Sequence, residues 1–295
     1  MMRKKPMLAY PVSDKPIDYT KPVFMQPKLD GVRCLIQYER RRISKLEFRQ
    51  VVAYSRTGKE WKNINHILQS LLPFFQANPD IILDGELYNH VLRDDFEKII
   101  SCVRKTKPTA IDRAESRKLV QFHCYDIVDE TAPFVDRIHK LNKLFQVPGQ
   151  SHLRDAYGVR FVETIVTPTE SQAKVNHARN LDAGFEGSIL RLNDVYQCKR
   201  SHSLRKFKDF HDAEAVIVDW VEGKGKRKGT IGKFVAVDND GNKFGMPVMD
   251  NFKKLQTMFK EMQSWVGLEA TFTYFERTKA GSYRHPLFKA IRDYE

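Results

Sequence analysis

The chain is poor in cysteine. Its four, Cys34, Cys102, Cys124 and Cys198, lie far apart, and none forms a C-x-x-C pair. That spacing argues against a zinc ribbon and suggests no disulfide framework, so free thiols in a reducing compartment are expected. Long apolar runs are missing too. No stretch approaches the ~18 residues of a membrane span, and the basic start MMRKKPMLAY is not followed by the apolar core of a signal peptide. A cytoplasmic protein without a membrane partner is expected. There is no internal repeat and no low-complexity tract, and negative charge is in short supply. Against 50 Lys and Arg stand 37 Asp and Glu, a net charge of +13. Such a balance favours a polyanionic partner, although a merely soluble basic protein has the same composition.

What is present reads as an α+β protein. The runs PVFMQPKLD, VRCLIQYE, VVAYSR, DIILDGELY, LVQFHCYDIVD and GSILRLND are partly alternating and rich in Val, Ile and aromatics, as strands are. Helices are fewer. From Asn65, the residues Ile67, Leu68, Leu71, Leu72 and Phe75 recur on one helical face. Thr167, Pro168 and Glu170 predict a capped helix start, with the helix running to about Asp182 and ending at Gly184. Another helix is predicted from Asp250, with Phe252, Leu255, Phe259 and Met262 at helical spacing.

A domain boundary is expected near His211, giving domains of residues 1–210 and 211–295. The second is β-rich with Gly and Asn-Asp turns, which suits a small barrel such as an OB-fold. It carries 14 Lys and Arg against 12 Asp and Glu, whereas the first carries 36 against 25. Most of the basic surface therefore belongs to the larger domain.

The stretch MQPKLDGVR, Met25 to Arg33, is where chemistry is expected. A lysine amine has an ordinary pKa of ~10.4 and becomes a nucleophile at neutral pH only when cations and partial burial lower it. Asp30 and Gly31 fit a turn that lets backbone approach a ligand, and Arg33 could clamp a phosphate. A solvated turn lysine would fit the same four letters. Lys206 and Lys208 alternate with Phe207, so on a strand they would share one face.

Six further segments join this one in a fixed order: SRTGK at Ser55–Lys59, ILDGELY at Ile82–Tyr88, FHCYDIV at Phe122–Val128, GFEGSILR at Gly184–Arg191, LRKFKDF at Leu204–Phe210 and YRHPLFKAIRD at Tyr283–Asp293. Each is weak alone. Together they resemble, over nearly the whole chain, the motif set of the ATP-dependent DNA ligases, within the covalent nucleotidyltransferase superfamily. The resemblance implies a minimal two-domain ligase of the viral or bacterial type: a nucleotidyltransferase (adenylation) domain of antiparallel sheets with helices, followed by a C-terminal OB-fold β-barrel. It implies ATP as the nucleotide, Mg²⁺ or Mn²⁺ as the metal, a nicked DNA duplex as the partner, and a monomer acting in the cytoplasm, nucleoid or viral replication site.

Residue by residue, the resemblance makes Lys28 the site of AMP attachment, with Lys206 and Lys208 on the α-phosphate. Gln26 would read the adenine edge, Tyr125 would stack on the ring, and Glu86 would meet the ribose hydroxyls, with Asp84 as the alternative. Arg33 and Arg56 would take the 5′-phosphate of a nick. Glu186 would hold the metal, and Asp30 would position the 3′-hydroxyl or its metal. Arg284 and Arg292 would act on pyrophosphate. The loop KGKRKG, with Lys224, Lys226, Arg227 and Lys228, is short for a duplex clamp; it either tracks phosphates or is simply solvated. An RNA ligase or capping-type nucleotidyltransferase shares several of these motifs. A non-catalytic OB-fold nucleic-acid-binding protein would explain the charge but not the ordered lysines and Glu186.

Overall fold

A computed structural model describes residues 4–146, 153, 156–278 and 281–292. The chain divides into two compact units, Met1–Phe207 and Lys208–Glu295.

In the first unit the elements run β1 (Leu8–Pro11), β2 (Val23–Lys28), β3 (Val32–Ile43), β4 (Leu46–Tyr54), α1 (Asn65–Ser70), α2 (Leu72–Ala77), β5 (Leu83–Tyr88), α3 (Phe96–Val103), α4 (Ala110–Leu119), β6 (Gln121–Ile127), α5 (Phe134–Gln146), β7 (Val159–Phe161), β8 (Ile165–Val166), α6 (Glu170–Asp182), β9 (Gly187–Leu192) and β10 (Arg200–Phe207). They build two five-stranded sheets, ordered β1-β10-β9-β2-β8 and β4-β3-β5-β6-β7. All six runs read as strands are strands, and the mixed α+β class is observed. The sheets are antiparallel except at one edge of each, where β1 joins β10 and β7 joins β6 in parallel.

Strand β2 shows how sequence positions the site. Val23 and Met25 turn to α6, forming a small core with Ala173 and Leu190. Phe24 belongs to the main core of the other sheet, and Gln26 bonds to the Tyr125 backbone in β6. Side chains alternate along a strand, so Lys28 continues the face of Phe24 and Gln26 that fronts the second sheet.

The helices depart from expectation in detail. The apolar stretch from Asn65 is two short helices broken at Leu71, because Pro73 has no N–H to continue the ladder. Phe74 is buried there, while Leu72 is 38% exposed. The predicted cap at Thr167 is displaced to Thr169, whose hydroxyl accepts from the Gln172 N–H at 3.1 Å. Thr167 is still tied to the sheet, its N–H donating to the Val23 carbonyl at 2.8 Å, so Glu170 begins the helix rather than completing a capping box. The end at Asp182 and Gly184 falls where expected. Helices α3, α4 and α5 were not predicted.

The second unit runs β11 (His211–Glu222), β12 (Ile231–Val237), β13 (Lys243–Pro247), α7 (Phe252–Lys260), α8 (Met262–Trp265), β14 (Glu269–Tyr274), β15 (Glu276–Arg277), β16 (Tyr283–Arg284) and β17 (Leu287–Ile291). Its main sheet is ordered β13-β12-β11-β14-β17. Among the described residues no ladder joins β13 to β17, so the sheet is open rather than the closed barrel expected. Register shifts in β11 bend it around a core of Ile217, Phe234, Met246, Leu255 and Phe272. Helix α7 is capped by the Asn251 side chain and stops at Glu261, so Met262 opens a separate turn. Its buried face is Leu255 and Met258, and Phe252 is left exposed.

Candidate active site

Lys28 ends β2 opposite Gly187, the first residue of β9. At Gly187 the backbone runs at φ 144°, and a β-carbon would stand 2.3 Å from the Phe207 carbonyl oxygen. Glycine is therefore needed for β9 and β10 to close here. The preceding residue, Glu186, donates its N–H to the Lys28 carbonyl at 3.1 Å, and its almost fully buried carboxylate pairs with the Lys28 ammonium. Lys206 lies on β10 opposite Ile189. Partial burial, then repulsion from Lys28 and Arg200, pushes the Lys206 amine below the usual lysine range. Two lysines and one carboxylate thus converge from three neighbouring strands.

The facing sheet supplies the carboxylates and the ring. Asp84 and Glu86 both stand on β5, but their surroundings differ. Asp84 is fully buried; it accepts from Arg33 Nε at 2.6 Å and from the Tyr196 hydroxyl at 2.7 Å. Glu86 is only partly buried and accepts from the Tyr125 hydroxyl at 3.1 Å. Burial, partly offset by the charges of Arg33 and Lys28, raises its carboxyl to about 7. Tyr125 is the extra residue of a β-bulge: Asp84 faces Asp126 and Gly85 faces Cys124, leaving Tyr125 between them unmatched. Its ring lies 5.0 Å from the Arg33 guanidinium carbon and 5.3 Å from that of Arg191. At Gly31 a β-carbon would meet the Leu87 carbonyl oxygen at 2.5 Å. The close approach that this glycine permits is to β5.

Behind Tyr125 runs a buried polar network that the motif reading missed. The Gln26 amide donates to the Tyr125 carbonyl at 3.0 Å and to the Thr164 hydroxyl at 2.8 Å, and its oxygen accepts from Arg191 Nε at 2.6 Å. Both amide hydrogens are thus committed within the protein, leaving spare acceptor capacity but no donor for an adenine edge. Arg191 reaches Asp126 at 2.6 Å, and Arg137 reaches the same carboxylate at 2.8 Å. Arg137 lies in a helix absent from the sequence expectation, and Arg191 closes a motif in which only its glutamate was singled out. A charged residue at an otherwise apolar strand position was the available signal.

Other expected residues stand elsewhere or differently. Arg33 is held in its bidentate pair with Asp84 and by the Met7 carbonyl at 3.2 Å. Arg56 is exposed on a tight turn, closed by the Lys59 N–H donating to the Ser55 hydroxyl at 2.9 Å. Asp30 lies near Tyr88, whose phenol burial and the Asp30 charge raise to about 12. Strand β10 ends at Phe207, so the alternation expected to pair Lys206 with Lys208 stops short. Lys208 belongs to the second unit, its ammonium 4.4 Å from the Phe275 ring centre. In that unit Arg284 pairs with Glu276, and Arg292 with Glu269 and Glu214 at 3.3 and 3.4 Å. Lys224, Lys226, Arg227 and Lys228 are exposed around a short 3₁₀ turn. Asp293 lies outside the described residues.

Among the described residues no group of three or more His, Cys, Asp or Glu forms a metal cage. Magnesium is commonly held by one or two carboxylates together with substrate phosphates, and the Glu186 carboxylate beside Lys28 is a donor of that kind. Among the described residues no helix is long and apolar enough to cross a membrane.

Comparison with known proteins places these features. The family described as ATP dependent DNA ligase domain matches residues 6–208. A DNA ligase of African swine fever virus is 29% identical over 188 residues, 61% of this chain and 42% of the relative. The DNA ligase of Enterobacteria phage T6 is 25% identical over 230 residues, 67% of this chain and 46% of the relative. The chain thus spans about half the length of the viral relatives it matches. Among solved structures, a Lig E DNA ligase superposes with a TM-score of 0.75 and 23% identity, covering 99% of this chain and 100% of its own. The ATP-dependent DNA ligase of bacteriophage T7 in complex with ATP gives a TM-score of 0.54 and 15% identity, covering 98% of both. At such identities the structural likeness speaks for the fold: a nucleotidyltransferase part and an OB part.

Proposed function

The chain belongs to the ATP-dependent DNA ligase family, and on that premise we propose that it seals 5′-phosphate/3′-hydroxyl nicks in duplex DNA, acting as a monomer. The observation that carries this reading is the Lys28 amine at the end of β2, ringed by Glu186, Lys206, Glu86 and Tyr125. We read residues 1–210 as the adenylation domain and 211–295 as the OB domain.

The Lys28 nitrogen attacks the α-phosphorus of ATP. An N–P bond forms and the bond to pyrophosphate breaks; the ammonium gives up one proton to become a nucleophile and a second on bond formation, leaving a phosphoramide N–H. The DNA 5′-phosphate oxygen then takes AMP from the lysine, and the 3′-hydroxyl displaces AMP to make the phosphodiester. All three are in-line substitutions, in which positioning and charge stabilisation do most of the catalysis. Lys206 and Lys208 stabilise the α-phosphate. Tyr125 stacks on adenine, and Glu86 accepts from the ribose hydroxyls; Asp84, already saturated by Arg33 and Tyr196, holds Arg33 in place. Gln26 fixes the Tyr125 backbone, and its oxygen offers the adenine edge an acceptor. Arg56 takes the nick phosphate together with the exposed side of Arg33, and Arg284 and Arg292 act on pyrophosphate. Glu186 and Asp30 would hold Mg²⁺ or Mn²⁺, which neutralises and orients phosphate when bound. The Lys28 ammonium must leave its Glu186 pair before its nitrogen can attack.

The test is sealing of a singly nicked, 5′-phosphorylated duplex with ATP and Mg²⁺, with transfer of α-labelled ATP to protein measured in parallel. Wild type is expected to label and seal, and Lys28→Ala to do neither. Labelling of Lys28→Ala would overturn the nucleophile. Labelling of wild type without sealing, on a duplex that it binds, would redirect the reading to an RNA end.

A further inference from the structure

Strands β3 and β4 form a hairpin that outgrows its sheet. The neighbouring strand β5 pairs with β3 only from Val32 to Ile36, whereas β3 and β4 pair all the way from Leu35 and Tyr54 to Ile43 and Leu46. Beyond Gln37 and Val52 the ribbon has two strands only. Alternation puts Arg40 and Arg42 of β3 on one face with Arg49 of β4, and Arg40 stands directly opposite Arg49. All three are exposed, as is Lys45 in the turn.

Directly opposed like charges destabilise an antiparallel pair, and the fold does little to offset this one. Among the described residues no carboxylate forms an ion pair with Arg40, Arg42, Lys45 or Arg49. Glu47, across from Arg42, is the one acidic residue among the paired positions of that face beyond Gln37. The contrast with the other face is direct. There Arg41 pairs with Glu39 at 3.3 Å and Glu60 at 3.2 Å and donates to the Tyr54 hydroxyl at 2.9 Å. One face of the ribbon is internally neutralised and the other is a cationic track.

We infer that the face carrying Arg40, Arg42 and Arg49 docks on the sugar–phosphate backbone of the duplex beside the nick. This rests on the ligase reading above and adds a contact surface to it. A two-stranded ribbon is narrow enough to follow a groove edge. Arg42 donates to the Ser44 carbonyl at 3.0 Å and Arg49 lies 5.7 Å from the Tyr38 ring centre, but among the described residues no carboxylate neutralises any of the three guanidiniums, so they supply sequence-independent, salt-sensitive affinity. None of the three belongs to the lysine site, so ATP chemistry and duplex affinity separate.

The experiment measures binding of wild type, an Arg40→Ala/Arg42→Ala/Arg49→Ala variant and the corresponding triple-lysine variant to a nicked duplex across a salt series. Labelling by ATP and the melting temperature serve as controls for folding. Each lost phosphate contact removes about 0.9 from the slope of log affinity against log salt, so the alanine variant is expected to lose about 2.7. The lysine variant should keep most of the slope, and both should still label with ATP. An alanine variant with the wild-type slope, or a lysine variant that falls with it, overturns the inference. So does an alanine variant that binds duplex normally but has lost attachment to phosphatidylserine vesicles, since the track would then serve a membrane. Failure of the wild type itself to bind duplex overturns the ligase reading as well.

Discussion

The two sheets of the first unit bring opposite chemistry to one cleft. The sheet containing β2, β9 and β10 brings amines, Lys28 and Lys206. The sheet containing β3, β5 and β6 brings Asp84, Glu86, Asp126 and the Tyr125 ring. Burial acts on both and moves each toward its neutral form, lowering Lys206 and raising Glu86 to about 7. The sheets differ in how charge is answered. Asp84 and Asp126 are fully buried, and guanidiniums from Arg33, Arg137 and Arg191 answer them. Glu86 accepts a phenol hydrogen and forms no ion pair among the described residues. Within a few residues of one strand, one carboxylate is held by a guanidinium as scaffold and its neighbour is not, as the ribose-binding role proposed for Glu86 requires.

The largest expected effect breaks the scaffold half of that contrast. Asp126→Ala leaves Arg137 and Arg191, 2% and 4% exposed at their side chains, buried without their partner. Loss of one member of a buried pair costs about 3–5 kcal/mol, so thermal unfolding should show a fall in Tm of roughly 10 °C. A fall of a degree or two would mean that water reaches the pair. Next comes the amine half: Lys206→Met should slow protein labelling by ATP by about 10²–10³, the usual cost of one electrostatic donor at a reacting phosphate, with little change in Tm. Equal losses of rate and Tm would make Lys206 a packing residue instead. A smaller effect separates the ring from its hydroxyl. Tyr125→Ala should weaken ATP binding by about 1–3 kcal/mol, the worth of base stacking, whereas Tyr125→Phe should keep most of it. A phenylalanine variant as weak as the alanine one would shift the role to the bond with Glu86.

Legibility in the sequence followed the same divide. Strands such as β2 and β5 could be read because alternation and β-branched residues are local signals, and the ordered motifs located Lys28, Glu86, Glu186 and Lys206. The motif reading could not tell Asp84 from Glu86, since both lie on one strand and only tertiary partners distinguish them. The Tyr125 bulge was hidden because a register shift is a property of two strands, not of one. Thr167 looked like a cap until the long-range bond to Val23 claimed its N–H. Helix α4 carries Asp, Arg and Lys through its length, which dilutes its apolar face, and α3, Phe96–Val103, is too short for helical spacing to stand out from that of a strand. The Arg191–Asp126–Arg137 network needs residues 65 and 11 positions from the aspartate, a separation that no motif encodes.

The finest test of the contrast is the pH dependence that Glu86 should impose. In the unfolded chain its carboxyl titrates near the ordinary 4.5, and in the folded site it holds its proton up to about 7. Between those values the folded state binds the extra proton, so this group's contribution makes stability fall as pH rises, and the fall is complete above the folded value. The slope from one proton cannot exceed about 1.4 kcal/mol per pH unit. Glu86→Gln mimics the protonated form and should flatten the profile from pH 5 to 7, leaving stability near pH 4 unchanged, because there both states of the wild type are largely protonated. The same variant should weaken ATP binding at pH 8, where the wild-type carboxylate is free to accept from a ribose. A wild-type profile as flat as that of Glu86→Gln would mean that water or Arg33 already answers the Glu86 charge, and the distinction drawn between Asp84 and Glu86 would fail. A slope that persists in the variant would assign it to another buried group, with His123, held down to about 4 by burial, excluded because its lowered pKa gives stability that rises with pH over part of the same interval.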